Sequence, residues 1–160
     1  MGKRRAGPST GSRSIAGQWI VATVLDRWEL RDRLVGQLRG PLRGDELAVL
    51  RESARLALRS HFGDGYDVRS VTAFAVGVQE SWGLPSGAGV MELEAAMRAA
   101  LGEPDVDLSG IKVATLMEAY FFSVMRVARL REWDERALRN LVARAEAAAV
   151  KQGWKPQRAN

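Results

Sequence analysis

The chain of 160 residues contains no cysteine and only one histidine, His61. Without cysteine it can form no disulfide bond, no thiolate–zinc site and no cysteine nucleophile. A single imidazole excludes a multi-histidine metal site, and a histidine in the last turn of a predicted helix is typical of a structural residue. The lack of cysteine also favours a reducing compartment, so we expect a cytoplasmic protein.

The sequence also lacks a long apolar run free of charge. Its most apolar stretch, residues 111–130, contains Lys112, Glu118 and Arg126, whereas a membrane helix needs about 20 consecutive apolar residues. The basic start around Lys3 is followed by polar residues, without the cleavage site of a signal peptide. We therefore expect neither export nor a membrane span.

Large apolar residues are missing from both ends of the chain, after Met1 in residues 1–13 and throughout residues 155–160. Such segments cannot bury enough surface to fold, so both are predicted to be disordered basic tails. Between them, residues 14–154 have the length and composition of one globular domain with its own core.

Apolar residues recur at spacings of three and four along the middle of the chain, which predicts an all-α, single-domain bundle of about six helices. The β-branched run at residues 19–25 leaves a strand there as the alternative. The fifth helix, at about 109–131, is apolar nearly all round and is predicted to be the central one. The predicted helices are 14–39, 45–62 capped by Asp45, 67–82, 90–101, 109–131 and 134–152.

Two motifs match binding loops only in part. Residues 105–110 fit the first six positions of an EF-hand calcium loop, but the position of its bidentate glutamate is Leu116. A loop that caps the next helix explains the same residues. The glycine-rich turn around Ser86 lacks the lysine of a phosphate-binding loop. We expect neither a metal nor a cofactor.

Glu118 is the one carboxylate in the most apolar predicted helix, where a lone charge is costly unless it is paired. We expect Arg27 or Arg31, on the broad face of predicted helix 14–39, to pair with it. A titrating functional carboxylate is the alternative. No candidate base, nucleophile or oxyanion device accompanies Glu118, so we expect no enzyme.

Charge is segregated along the chain, whose net charge is +5. Residues 1–60 have 12 basic and 6 acidic side chains, residues 61–125 have 3 and 9, and residues 126–160 have 9 and 4. The basic ends can contact an external polyanion, or they can satisfy the acidic middle within one chain or between copies.

The most ordered basic feature is a row of arginines that recur every four residues on predicted helix 45–62. Together with the N-terminal tail, this row predicts a two-part footprint for the phosphates of a nucleic acid or another polyanion. A solvated helix face is the plainer interpretation. The predicted contact residues are Lys3, Arg4, Arg5, Arg13, Arg51, Arg55 and Arg59.

Two functions follow from this charge pattern. The first is a non-enzymatic helical protein that binds nucleic acid or another polyanion. The second is a helical adaptor or assembly subunit that docks on protein partners, or on copies of itself, through segregated charge. The five tryptophans suit base stacking and protein interfaces equally well, so they do not separate the two.

Overall fold

The computed structural model describes residues 11–40 and 44–160. These residues form a single all-α domain, as predicted, with one helix more than expected and no strand among them. The helices are α1 (Ile15–Val24), α2 (Trp28–Gln37), α3 (Gly44–Phe62), α4 (Val68–Ser81), α5 (Val90–Ala100), α6 (Val113–Leu130) and α7 (Glu135–Lys151).

The additional helix arises because the predicted helix 14–39 is broken in two. Asp26 adopts a left-handed backbone conformation with φ 56°, which Asp tolerates better than most residues. The chain reverses there, so that α2 packs back on α1 and buries Leu34 against Ile15 and Ala22. The single-helix prediction is therefore wrong, and so is the strand alternative at residues 19–25.

Helices α3 and α6 share the centre of the bundle. Helix α3 packs against α1, α5, α6 and α7, and α6 packs against α3, α4 and α5. The two helices run in the same direction, because Leu47 and Met117 line one pocket near their starts and His61 and Arg126 line another near their ends. The predicted central helix is thus α6, but it begins only at Val113 and is not alone at the centre.

The predicted helix starts are confirmed at two of three aspartates. Asp67 and Asp134 are the N-caps of α4 and α7, where their carboxylates accept backbone N–H groups. Asp45 instead lies inside the first turn of α3, and its Oδ1 accepts the backbone N–H of Lys155 at 2.8 Å. The N-cap prediction for Asp45 is therefore wrong.

The C-terminal segment 155–160 is held by the domain, in contrast to the predicted disordered tail. It pairs with the chain around Ser14, where Ile15 N donates to Gln157 O at 2.8 Å and Ala159 N donates to Arg13 O at 2.9 Å. Asn160 N also donates to Gln37 Oε1. Composition could not reveal these bonds, because the polar segment is satisfied by groups on other elements. Residues 1–10 of the predicted N-terminal tail lie outside the described residues.

Within residues 11–40 and 44–160, no helix combines the length and apolarity needed to cross a lipid bilayer.

Candidate functional site

An open pocket of about 590 Å³ lies where α3 ends, α4 begins and α6 ends. Its lining combines aromatic rings with cationic and hydroxyl side chains. The lining residues that matter for binding are His61, Phe62, Tyr66, Asp67, Ser70, Phe74 and Arg126.

The aromatic wall of this pocket is a chain of ring contacts. Gly63 ends α3 with φ 73° and turns the chain, which brings Tyr66 to 6.2 Å from the ring of Phe62. Phe62 packs edge-on against Phe74 at 5.5 Å, and His61 contacts both rings at 4.8 and 5.3 Å. Phe62 and Tyr66 are half-buried, so part of each ring is available to a ligand.

Arg126 supplies the charge beside this wall. Its guanidinium lies over the Phe74 ring, with Cζ 5.4 Å from the ring centre, and its Nη1 donates to Ser81 Oγ at 3.3 Å. Its Nε is buried without a hydrogen-bond partner among the described residues. A buried donor without an acceptor is costly. Gly77 of α4 makes room for the group, because a Cβ at this position would overlap the guanidinium.

Two further arginines extend the positive charge along the end of α6. Arg129 stacks over Trp82, with Cζ 5.1 Å from the ring, and Trp82 stacks on Phe122 at 5.0 Å. Arg131 donates to the backbone oxygen of Ser60. We call Arg126, Arg129 and Arg131 the α6 arginine cluster. None of the three forms an ion pair within the described ranges.

His61 responds to this positive field. Burial lowers the pKa of His61, and the charges of Arg131 and Arg126 lower it further. The nearest acid in the lining, Asp67, uses its Oδ1 to accept the backbone N–H of Arg69 at the start of α4. His61 lies in the pocket beside the cluster, and the sequence-based interpretation of His61 as a structural residue stays a prediction.

The predicted arginine row runs along α3, and two of its three side chains are bonded to other side chains. Arg55 Nε donates to Glu52 Oε2 at 2.7 Å, and Glu52 is only 4% exposed. Gln152 of α7 donates to Glu52 Oε1 at 3.0 Å and accepts from Arg51 Nη2 at 3.5 Å. The Arg59 side chain is exposed and forms no ion pair with another described residue. Phosphate contact by this row stays a prediction.

The N-terminal half of the predicted footprint is described only at Arg13. The Arg13 side chain is exposed, and its backbone N–H donates to the carboxylate of Glu146. Lys3, Arg4 and Arg5 lie outside the described residues.

The predicted arginine partner of Glu118 is wrong. Glu118 Oε1 accepts the backbone N–H of Ser86 at 2.9 Å, and its other oxygen accepts the Ser86 hydroxyl. Arg27 pairs with Glu135, and Arg31 pairs with Asp32. The glycine-rich turn explains the difference, because it carries Ser86 to the side of α6.

The partial calcium motif forms a local turn. Asp107 Oδ1 accepts the backbone N–H of Ser109 at 2.9 Å, and the side-chain and backbone hydrogen bonds from Ser109 lower the pKa of Asp107. Over the part of the chain that the structure describes, no group of three or more histidine and carboxylate side chains is placed to hold a metal ion.

The α6 arginine cluster was not predicted from the sequence, because α6 has the apolar composition of a core helix. The available signal was three arginines within six residues at the end of that apolar helix.

Comparison with known proteins adds no assignment, since no family model, no curated protein and no solved structure matches the chain.

Proposed function

We propose that this is a non-enzymatic nucleic-acid-binding protein that contacts single strands through the α6 arginine cluster and the adjoining aromatic rings. The observation that carries the proposal is the state of the three arginines. They lie against rings or a backbone oxygen, and no described carboxylate neutralises them. A phosphate would supply the missing negative charge.

The spacing of the cluster favours a strand over a small anion. Arg126 and Arg129 are three residues apart and therefore neighbours on one helix face. Arg126 lies over the buried ring of Phe74 and Arg129 lies over Trp82. The half-buried rings of Phe62 and Tyr66 in the adjoining pocket are open to a base. Proteins that bind single strands without sequence preference combine positive charge along the backbone path with rings on which bases stack.

The side chains that line the pocket can contact a ligand, which supports a binding function for the protein. His61 is held towards its neutral form by burial and by the two arginines. The Tyr66 hydroxyl donates to Glu103 Oε1 at 2.8 Å, so it already has a partner. The His61 imidazole and the Tyr66 ring can contact a base, while the described lining offers no activated nucleophile paired with a base.

The adaptor function has its own support in α2. This helix packs mainly on α1 and leaves Trp28 and Val35 about half exposed, at 50% and 48%. Exposed tryptophan and valine side chains suit a protein interface. The experiment that tests nucleic-acid binding should therefore also measure self-association.

The test is fluorescence anisotropy with a labelled mixed-sequence single-stranded oligonucleotide, measured over a series of salt concentrations. The wild-type protein should bind with an affinity that falls as salt rises. Replacing the three cluster arginines by Gln should reduce the slope of log affinity against log salt by about 2, at roughly 0.7 for each lost phosphate contact.

The matched control removes the same charge from three arginines that already have carboxylate partners, Arg27, Arg31 and Arg139. This control should keep most of the wild-type slope. Wild-type protein that ignores the oligonucleotide at low salt would contradict the proposal, and so would equal losses in both triple variants. If the cluster variant changes the sedimentation coefficient but not oligonucleotide binding, the adaptor function replaces it.

A further inference from the structure

A second cavity, of about 350 Å³, lies at the other end of the α3–α6 pair. It is enclosed by α1, α2 and the first turns of α3 and α6. Nearly all of its lining is apolar. The lining includes Ala16, Trp19, Ile20, Val35, Leu50 and Val113.

The cavity has a buried floor and an exposed rim. Ile20 and Leu50 are 0% and 5% exposed, whereas Val35 and Val113 are 48% and 58% exposed. Trp19 forms part of the wall and is fixed by a tilted contact with Phe121, with ring centres 5.1 Å apart. A buried floor with an exposed rim makes the site concave, so it suits a small molecule better than a flat protein surface.

The apolar lining sets the charge of a suitable ligand. Its one carboxylate, Glu46, is only 3% exposed, and its Oε1 accepts the backbone N–H of Gln157 at 3.1 Å. The apolar remainder gives a charged ligand nothing to replace its hydration. The chemistry therefore selects an uncharged, apolar molecule.

We propose that this cavity binds one uncharged apolar molecule, which enters between Val35 and Val113. Ligand pockets typically enclose about 300–1,000 Å³ and are mostly apolar, and an apolar cavity of about 150 Å³ is large enough to take up benzene. The site is separate from the pocket that His61 and Arg126 line, which we call the cationic pocket, and it does not depend on nucleic-acid binding.

The uncharged dye N-phenyl-1-naphthylamine provides a direct test with the chain of 160 residues, since its fluorescence rises in an apolar site. Wild-type protein should bind the dye saturably with one dye per chain. Ala16→Leu fills the cavity and should weaken binding by tenfold or more, at roughly fourfold for each displaced methylene group. Ala73→Leu, which makes the same change at an alanine of the cationic pocket, should leave dye binding unchanged.

A second variant guards against failure of Ala16→Leu to fold. Val113→Phe narrows the opening at an exposed position and should also weaken dye binding while leaving the melting temperature near that of the wild type. Wild-type protein that shows no saturable dye binding would overturn the proposal, as would binding that neither variant weakens. A wild-type dimer that excludes the dye would assign the opening to a second copy and overturn it too.

Discussion

Two sets of three arginines lie on the two central helices, and they differ in what surrounds them. On α3, Arg55 is bound to the buried carboxylate of Glu52, and Arg51 contacts Gln152 of α7. On α6, Arg126 and Arg129 lie over aromatic rings. In the regular set, at every fourth residue, Arg55 has a carboxylate partner, whereas no arginine of the irregular set at the end of the apolar helix forms an ion pair with a described residue.

The difference shows that spacing along a helix predicts which arginines are neighbours but not which are free. Glu52 shares a helix with Arg55, yet it is buried because α7 brings Gln152 over it. Gly77 makes room for Arg126 in the same way, from a helix that is distant in the sequence. Tertiary packing therefore decides both which arginine has a partner and which has space for its guanidinium.

The largest effect on this comparison should come from Glu52→Ala. The substitution removes the acceptor for Arg55 and Gln152 and should lower the free energy of unfolding by about 1–3 kcal/mol. It should release Arg55 but leave affinity for the oligonucleotide near that of the wild type, because the proposed binding surface is the α6 arginine cluster. Urea unfolding and anisotropy measure the two quantities.

Glu29→Ala is the matched control for Glu52→Ala, because Glu29 is exposed and has no bonded partner within the described residues. It should change stability by less than about 0.5 kcal/mol. If both substitutions are equally mild, Glu52 does not hold the α3 row.

A smaller effect is expected from Gly77→Ala, which displaces the Arg126 guanidinium without removing its charge. Because alanine favours a helix over glycine by about 1 kcal/mol, the protein should remain folded. Affinity for the oligonucleotide should fall about tenfold, the effect of one charge-assisted hydrogen bond of about 1.5 kcal/mol.

Gly36→Ala in α2 controls for helix propensity, since a Cβ there meets no atom within 4 Å. Its oligonucleotide affinity should equal that of the wild type. Unchanged affinity in Gly77→Ala would remove Arg126 from the binding surface.

The smallest effect is a titration shift at His61, whose pKa in the free protein is lowered first by burial and then by Arg131 and Arg126. A bound phosphate offsets these arginine charges and should raise the pKa. Arg131→Gln should raise it without a ligand. The chain has one histidine, so proton NMR follows a single imidazole resonance against pH.

The lowered pKa of His61 also determines the direction in which stability changes with pH. Because the folded state lowers the pKa of His61, the unfolded chain takes up the proton first as pH falls through the ordinary histidine range. Stability should therefore decrease with falling pH across that range. An imidazole that titrates identically with and without oligonucleotide would place the ligand away from the pocket.

Much of the fold was predictable because it depends on local periodicity. Apolar spacing located the helices, and Asp67 and Asp134 marked two starts as predicted. The break at Asp26 was not predictable, since both sides of it have helical spacing and only the packing of Leu34 on α1 favours the reversal.

The candidate site was harder to predict than the fold. The sequence places Arg126 in an apolar helix that is typical of a protein core. Its position in the proposed binding surface depends on Gly77 and Phe74 in α4. Glu118 has a serine rather than an arginine as its partner for the same reason. Each of these contacts joins residues that are far apart in the chain, where spacing carries no information.

The most direct test of the account is an NMR titration that follows the arginine Nε–Hε resonances as single-stranded oligonucleotide is added. Single substitutions assign the six arginines of the two sets. The resonances of Arg126, Arg129 and Arg131 should shift with a common affinity, while the resonance of Arg55, which is bound to Glu52, should not move. Shifts confined to Arg51, Arg55 and Arg59 would contradict it and return the binding surface to α3.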